Sequence, residues 1–156
     1  MPLANYTTEV TAIKSVGEIQ GLLTGHGARS ILIDYKDGEP IALAFIIPTK
    51  HGDLPFRLPA NIEKVQVVLK KMRSRNRWNP NADRLDRERA LKVAWRILRD
   101  WVRAQLAIIE TEMVTIDQVF LPYMTHRGKT VYEIFVEGHL QLPQGNDDGE
   151  FHEVKE

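Results

Sequence analysis

Apolar residues recur along this chain with two different periods, and the change of period marks its expected elements. Tyr6 to Ile13 alternates apolar and polar positions in the manner of a short strand. Ser15-Val16-Gly17-Glu18 has the spacing of a capping box, in which a hydroxyl and a carboxylate three residues apart satisfy exposed N–H groups at a helix start. The helix it opens carries Ile19, Leu22 and Leu23 inward and stops at Gly25 or Gly27. Ser30 to Tyr35 predicts a second strand, Lys36-Asp37-Gly38-Glu39 a turn, and the apolar run Pro40 to Ile47 a central strand. After a second turn at Lys50-His51-Gly52-Asp53, the stretch Leu54 to Leu58 contains Pro55 and meets Pro59. Neither proline has an N–H to donate, so this strand belongs at a sheet edge.

Beyond Pro59 the period lengthens to that of a helix. Ile62, Val65, Val68 and Leu69 define an amphipathic helix ending near Met72, and the polar stretch Ser74 to Asp83 reads as an exposed loop holding Trp78. From Arg84 to Glu112, at about 100° per residue, Leu91, Ala94, Trp95, Leu98, Trp101, Val102, Ile108 and Ile109 share one face. Arg89, Lys92, Arg96, Arg99 and Arg103 share the other, and Trp95 falls at the boundary between them. Thr115-Ile116-Asp117-Gln118 and Thr130-Val131-Tyr132-Glu133 are two further capping boxes, with Pro122 interrupting between them. The fold class is therefore α+β: a small, mostly antiparallel sheet in the order strand-helix-strand-strand-strand-helix, then a long amphipathic helix and short helices. One domain is expected over residues 1–142, followed by a flexible acidic tail over 143–156.

Composition narrows the chemistry. A chain of 156 residues can bury a core without disulfides, and the absence of cysteine removes thiolate zinc sites, cysteine nucleophiles and redox switching. No segment approaches the ~20 apolar residues of a membrane span, and no basic start precedes an apolar run, which points to the cytoplasm and away from a membrane partner. Net charge is zero on 21 basic and 21 acidic residues, but the distribution is uneven. Between Glu63 and Arg103 thirteen basic residues face five acidic ones, so this segment is +8 and the remainder −8.

Within that segment, Lys70, Lys71, Arg73, Arg75 and Arg77 run without an intervening acid and end at Trp78. Cations neutralise phosphates with release of counterions, and an exposed indole stacks on a base for ~1–3 kcal/mol. The row Arg89 to Arg103 would extend this surface by ~21 Å at 1.5 Å per residue. No catalytic residues, metal ligands or cofactor are indicated. His26, His51, His126, His139 and His152 lack zinc-motif spacing, although His51 and Asp53 share a hairpin tip. Gly25-His26-Gly27 is not completed into a phosphate loop, and Asp34, Asp37, Glu39, Glu110 and Glu112 sit at turns and a helix end where carboxylates are routine.

The segments Leu54-Pro55-Phe56-Arg57-Leu58-Pro59-Ala60-Asn61, Val93-Ala94-Trp95-Arg96-Ile97-Leu98-Arg99-Asp100-Trp101 and Val119-Phe120-Leu121-Pro122-Tyr123 resemble, in that order, a family of small bacteriophage and prophage proteins with no established activity. The resemblance covers most of the chain to about Leu142. It implies a phage setting inside a bacterial host, hence DNA metabolism or inhibition of host defence, and supplies no catalytic residue. The leading expectation is a nucleic-acid-binding accessory protein making largely sequence-independent phosphate contacts, with single- and double-stranded partners both open. The alternatives are an inhibitor that presents its basic face to an acidic host defence or replication protein and, last, an unrecognised enzyme.

Overall fold

Two tight reversals build the sheet. Asp37 and Gly38 both hold positive φ, 52° and 80°, the backbone a two-residue hairpin loop requires for its twist to match the strands. They join β1 (Ser30–Lys36) to β2 (Glu39–Thr49), whose ends pair as Lys36 with Glu39. The second reversal, Lys50-His51, pairs Thr49 with Gly52 and starts β3 (Gly52–Pro59). The strands form an antiparallel sheet in the order β1-β2-β3, which places the apolar run in the centre and the proline-bearing strand at an edge, as the pattern predicts. The computed structural model describes residues 2–73 and 79–138. Arg75, Arg77, Trp78 and the expected acidic tail lie outside them.

The α+β class holds, but the chain enters the sheet from a helix and not from a strand. Residues 6–11 are irregular, and α1 (Ala12–Gly25) begins where the alternation predicted a strand to end. Thr11 is the N-cap, its side chain accepting from the N–H of Lys14. Lys14 stands where a capping box would have Glu or Gln, so the true start carries only half of that signal. Ser15, read as the cap, is buried inside the first turn, with its own N–H bonded to the carbonyl of Thr11. The residues before Thr11 find their polar partners on a distant helix: Asn5 donates to Asp100 at 2.9 Å, and Glu9 pairs with Lys92 at 3.1 Å.

α2 (Ile62–Met72) and α3 (Ala82–Glu110) follow, and α3 packs against α1, α2 and the sheet. Its buried residues are Ala90, Val93, Ala94, Trp95, Val102 and Leu106. That set is rotated from the expected face, because α2 covers the side bearing Ala90 and Ala94 while Ile108, assigned to the apolar face, is exposed. Trp95 is fully buried, and its indole N–H donates to the carbonyl of Pro40 at 2.9 Å. Against the sheet, Phe45 and Phe56 stack at 5.3 Å, and Phe120 meets Phe45 edge-on at 5.7 Å.

Phe120 arrives from α4 (Ile116–Phe120), a 3₁₀ turn (Leu121–Tyr123) follows, and α5 (Val131–Val136) closes the described chain. Both expected capping boxes form, at Thr115 with Gln118 and at Thr130 with Glu133. Between them lies a small hairpin that the apolar pattern did not announce, β4 (Thr125–His126) and β5 (Lys129–Thr130), turning on Arg127 and Gly128 at φ 51° and 80°. A bridge from Met124 to Phe56 lays this region along the outer edge of β3.

The Trp95 hydrogen bond supports a direct test. Trp95→Phe keeps an aromatic ring but leaves the Pro40 carbonyl without its donor and opens a small void, so it should cost about 1–3 kcal/mol. Urea unfolding measures this as a lower midpoint at unchanged slope; an unaltered midpoint would show that the indole N–H carries no net stability.

Candidate nucleic-acid interface

Eight of the eleven expected contact residues lie among the described residues: Lys70, Lys71, Arg73, Arg89, Lys92, Arg96, Arg99 and Arg103. The structure divides them. Arg96 and Arg99 project from α3 toward α1, and both bind Glu18, Arg96 Nη1 at 2.9 Å and Arg99 Nε at 2.5 Å. Arg99 also reaches Asp100 at 2.6 Å. The Arg96 and Arg99 side chains are only 19% and 17% exposed, so the middle of the basic row is largely enclosed. Lys92 is bound to Glu9, and Arg89 donates to the backbone carbonyl of Tyr6 at 3.2 Å. Arg89 and Arg103 are the exposed arginines of the row, and neither forms a salt bridge among the described residues.

Electrostatics at Glu18 follow from this enclosure. Burial alone would raise its pKa, but hydrogen bonds and charge from Arg99 and Arg96 outweigh burial and hold the carboxyl below its ordinary value. Asp100 behaves the same way, with burial opposed by hydrogen bonds from Asn5 and Arg99. The i,i+4 pairing of Arg84 with Glu88 is present at 3.8 Å, whereas Asp100 takes its short contact from Arg99 and not from Arg96.

The end of α2 is different. Its last turn carries Lys70 and Lys71, and Arg73 follows as the C-cap, where cations also complement the carbonyl end of the helix. Lys70 meets Asp83 at 2.9 Å and Arg73 meets Asp86 at 2.7 Å, with both cations 41% exposed. Lys71 is exposed and has no carboxylate partner among the described residues. Lys64, outside the expected set, is equally free and lies two turns earlier on the same helix face. Its spacing of seven residues from Lys71 was the signal that could have included it.

Two depressions accompany this surface. A groove of about 350 Å³ runs between the end of β3, α2 and α3, walled by Leu58, Val65, Ile97, Leu98, Trp101 and Tyr123, with Lys64 and Asn61 at its lip. A cleft of about 450 Å³ lies near the β2–β3 turn, lined in part by His26, Thr49, Thr115 and Asp117. There His26 contacts Glu110 at 2.9 Å, and His51 stands 3.8 Å from Asp117, too far for a hydrogen bond. Asp53 turns instead to Arg29 at 2.6 Å, so the hairpin-tip pair His51 and Asp53 is not joined. The hydroxyl of Thr115 is engaged with Gln118. Among the described residues this cleft holds no hydroxyl bonded to a histidine base, the minimum of a nucleophilic dyad.

The Glu18 cluster should make the fold acid-sensitive. A carboxyl whose folded pKa is lowered contributes stability above its unfolded value, about 4.3 for glutamate, and loses it as pH falls through the folded value. Glu18→Gln should therefore flatten the decline of the urea midpoint below about pH 4.3. At neutral pH it should cost about 1–2 kcal/mol, less than a fully desolvated charged hydrogen bond because the carboxylate is 30% exposed. A variant with the wild-type pH profile would remove Glu18 from the acid response.

No helix among the described residues is long and apolar enough to cross a membrane. Compared with known proteins, the chain matches no family model, no curated protein and no solved structure.

Proposed function

We propose that this chain is a nucleic-acid-contacting accessory protein of phage type whose phosphate contacts are concentrated at the end of α2 and the basic run after it. The observation that carries this reading is the unequal availability of the cations. Among the described residues Lys64 and Lys71 have no carboxylate partner, and Lys70 is held by a solvent-exposed pair with Asp83, which a phosphate can replace at little cost, whereas Arg73 meets the more enclosed Asp86. Arg96 and Arg99, by contrast, fix α1 to α3, and recruiting them would strand Glu18 between two helices. In sequence the basic run continues through Arg75, Arg77 and Trp78 with no acid among them. The feature that supports this reading is charge with no groove-reading motif in the sequence, so binding should be largely independent of sequence and governed by counterion release.

A protein partner is the second reading, favoured by the apolar groove beside Lys64. Trp101 and Tyr123, with ring centroids 5.5 Å apart, form a wall suited to a hydrophobic anchor while the cations steer an acidic surface toward it.

Fluorescence anisotropy with labelled single- and double-stranded DNA and RNA across a salt series separates these readings. Binding should weaken linearly in log salt, and Lys70→Ala/Lys71→Ala/Arg73→Ala should make the slope shallower by about 2–3, at ~0.7–0.9 for each phosphate no longer neutralised. Lys92→Ala, whose ammonium serves Glu9, should leave the slope unchanged. No binding at low salt, together with a host-protein complex that survives nuclease, would replace the first reading by the second.

A further inference from the structure

The groove between β3, α2 and α3 combines apolar walls with hydrogen-bond donors and a single cation. Leu58, Val65, Ile97 and Leu98 supply its aliphatic surface. Trp101 and Tyr123 supply an aromatic one, with ring centroids 5.5 Å apart and planes inclined at 68°. Both rings are only partly buried, so aromatic surface faces the recess. Polar atoms enter the lining from Asn61, Lys64, Trp101 and Tyr123, and no lining side chain is acidic. The Asn61 side-chain oxygen accepts from the N–H of Lys64, which leaves the Asn61 amide nitrogen as a donor at the lip. Lys64 beside it is exposed, with no carboxylate partner among the described residues.

The volume, about 350 Å³, is at the small end of ligand pockets, which suits one ring system. A nucleobase meets each of these terms. Its flat face packs on aromatic and aliphatic walls, its edge carries acceptors for a donor such as the Asn61 amide, and its phosphate lies within one nucleotide of it for Lys64 to neutralise. The same helix then offers a path for the backbone. Lys71 stands seven residues beyond Lys64, about 10 Å at 1.5 Å per residue, the length of about three phosphates in a stacked strand at ~3.4 Å each. A duplex presents no free base to such a recess, because each must first be unpaired and unstacked.

We infer that this groove is a nucleobase site, which seats one base of a single strand against Leu98 and Trp101 with the adjoining phosphate at Lys64. The inference rests on the phosphate contacts proposed above and adds to them a preference for single strands, which neutralisation of phosphates by itself does not supply.

Oligothymidylate and an abasic oligomer of equal length carry the same phosphates and differ only in their bases. Added to the full chain at low salt, oligothymidylate should shift the amide NMR signals of Leu98, Trp101 and Tyr123 and the indole N–H of Trp101. The abasic oligomer should shift Lys64 and Lys71 and leave those groove signals in place, as should a duplex of the same length. By anisotropy, oligothymidylate should bind about tenfold more tightly than the abasic oligomer. Ile97→Glu, at a wall residue outside both core clusters, should abolish that preference while the salt slope and the melting temperature stay unchanged. Groove signals that ignore oligothymidylate, or that move equally with the abasic oligomer, would overturn the inference and leave the recess to a protein anchor. A preference retained in Ile97→Glu would overturn it too. In each of these cases a salt-dependent affinity for both oligomers leaves the phosphate reading standing, whereas binding of neither oligomer removes both. Because the signals come from the groove itself, stacking on Trp78 does not imitate the expected result.

Discussion

A single buried donor organises the long helix. Trp95 places a large indole where α3 crosses the central strand, and its N–H donates to the carbonyl of Pro40 at the start of β2. An unmatched N–H at that depth would cost about 1–3 kcal/mol, so the rotation of α3 about its own axis is constrained by this bond as well as by apolar contact. Once that rotation is set, Val102 and Leu106 fall toward the sheet and Ala90 and Ala94 toward α2. The side bearing Arg96 and Arg99 is turned to α1. The small residues at Ala90 and Ala94 let α2 approach closely, with Ile62 and Leu69 filling the space between.

The charges follow from that placement. Glu18 lies on α1 opposite two arginines nearly eighty residues away, and all three groups are partly withdrawn from water. Such a cluster is weak evidence for net stability but strong evidence against availability, since removing either partner leaves charge uncompensated in a partly desolvated place. The segment that carries the excess positive charge is thus not one continuous binding face. Part of it clamps α1 and the residues before it onto α3, and part, at the end of α2, stays in solvent, with Lys71 free of a carboxylate partner among the described residues and Lys70 in an exposed pair.

Much of the fold was legible beforehand because its signals are local. Asp37-Gly38 specifies a turn through backbone conformations that few other residues adopt, Thr130 and Glu133 cap each other across three residues, and Pro55 and Pro59 exclude β3 from the centre of the sheet. The misreadings were local too. Ser15 with Glu18 has the spacing of a capping box, but Glu18 is claimed by Arg96 and Arg99, and helix formation begins one turn earlier on Thr11. The alternation over Tyr6 to Ile13 adds no strand to the sheet, because the residues before Thr11 take their polar partners on α3, Asn5 at Asp100 and Glu9 at Lys92. The short hairpin at Arg127-Gly128 has strands of two residues each, too brief for any period to show.

The sequence by itself determined the three strands of the sheet, the hairpin turns that join them, the long helix and the two short capped helices after it, and that positive charge gathers between Glu63 and Arg103. These properties reside in neighbouring residues: side-chain periodicity, caps and left-handed turn positions. Only the tertiary structure decided which of those cations remain free. A helical period assigns Arg89 to Arg103 to one face but does not say what packs there. The answer depends on Glu9 and Glu18 approaching from the other end of the chain. Electrostatic partners are set by distance in space, and that distance is fixed by the burial of Trp95, Ala90 and Ala94, not by any spacing along the sequence.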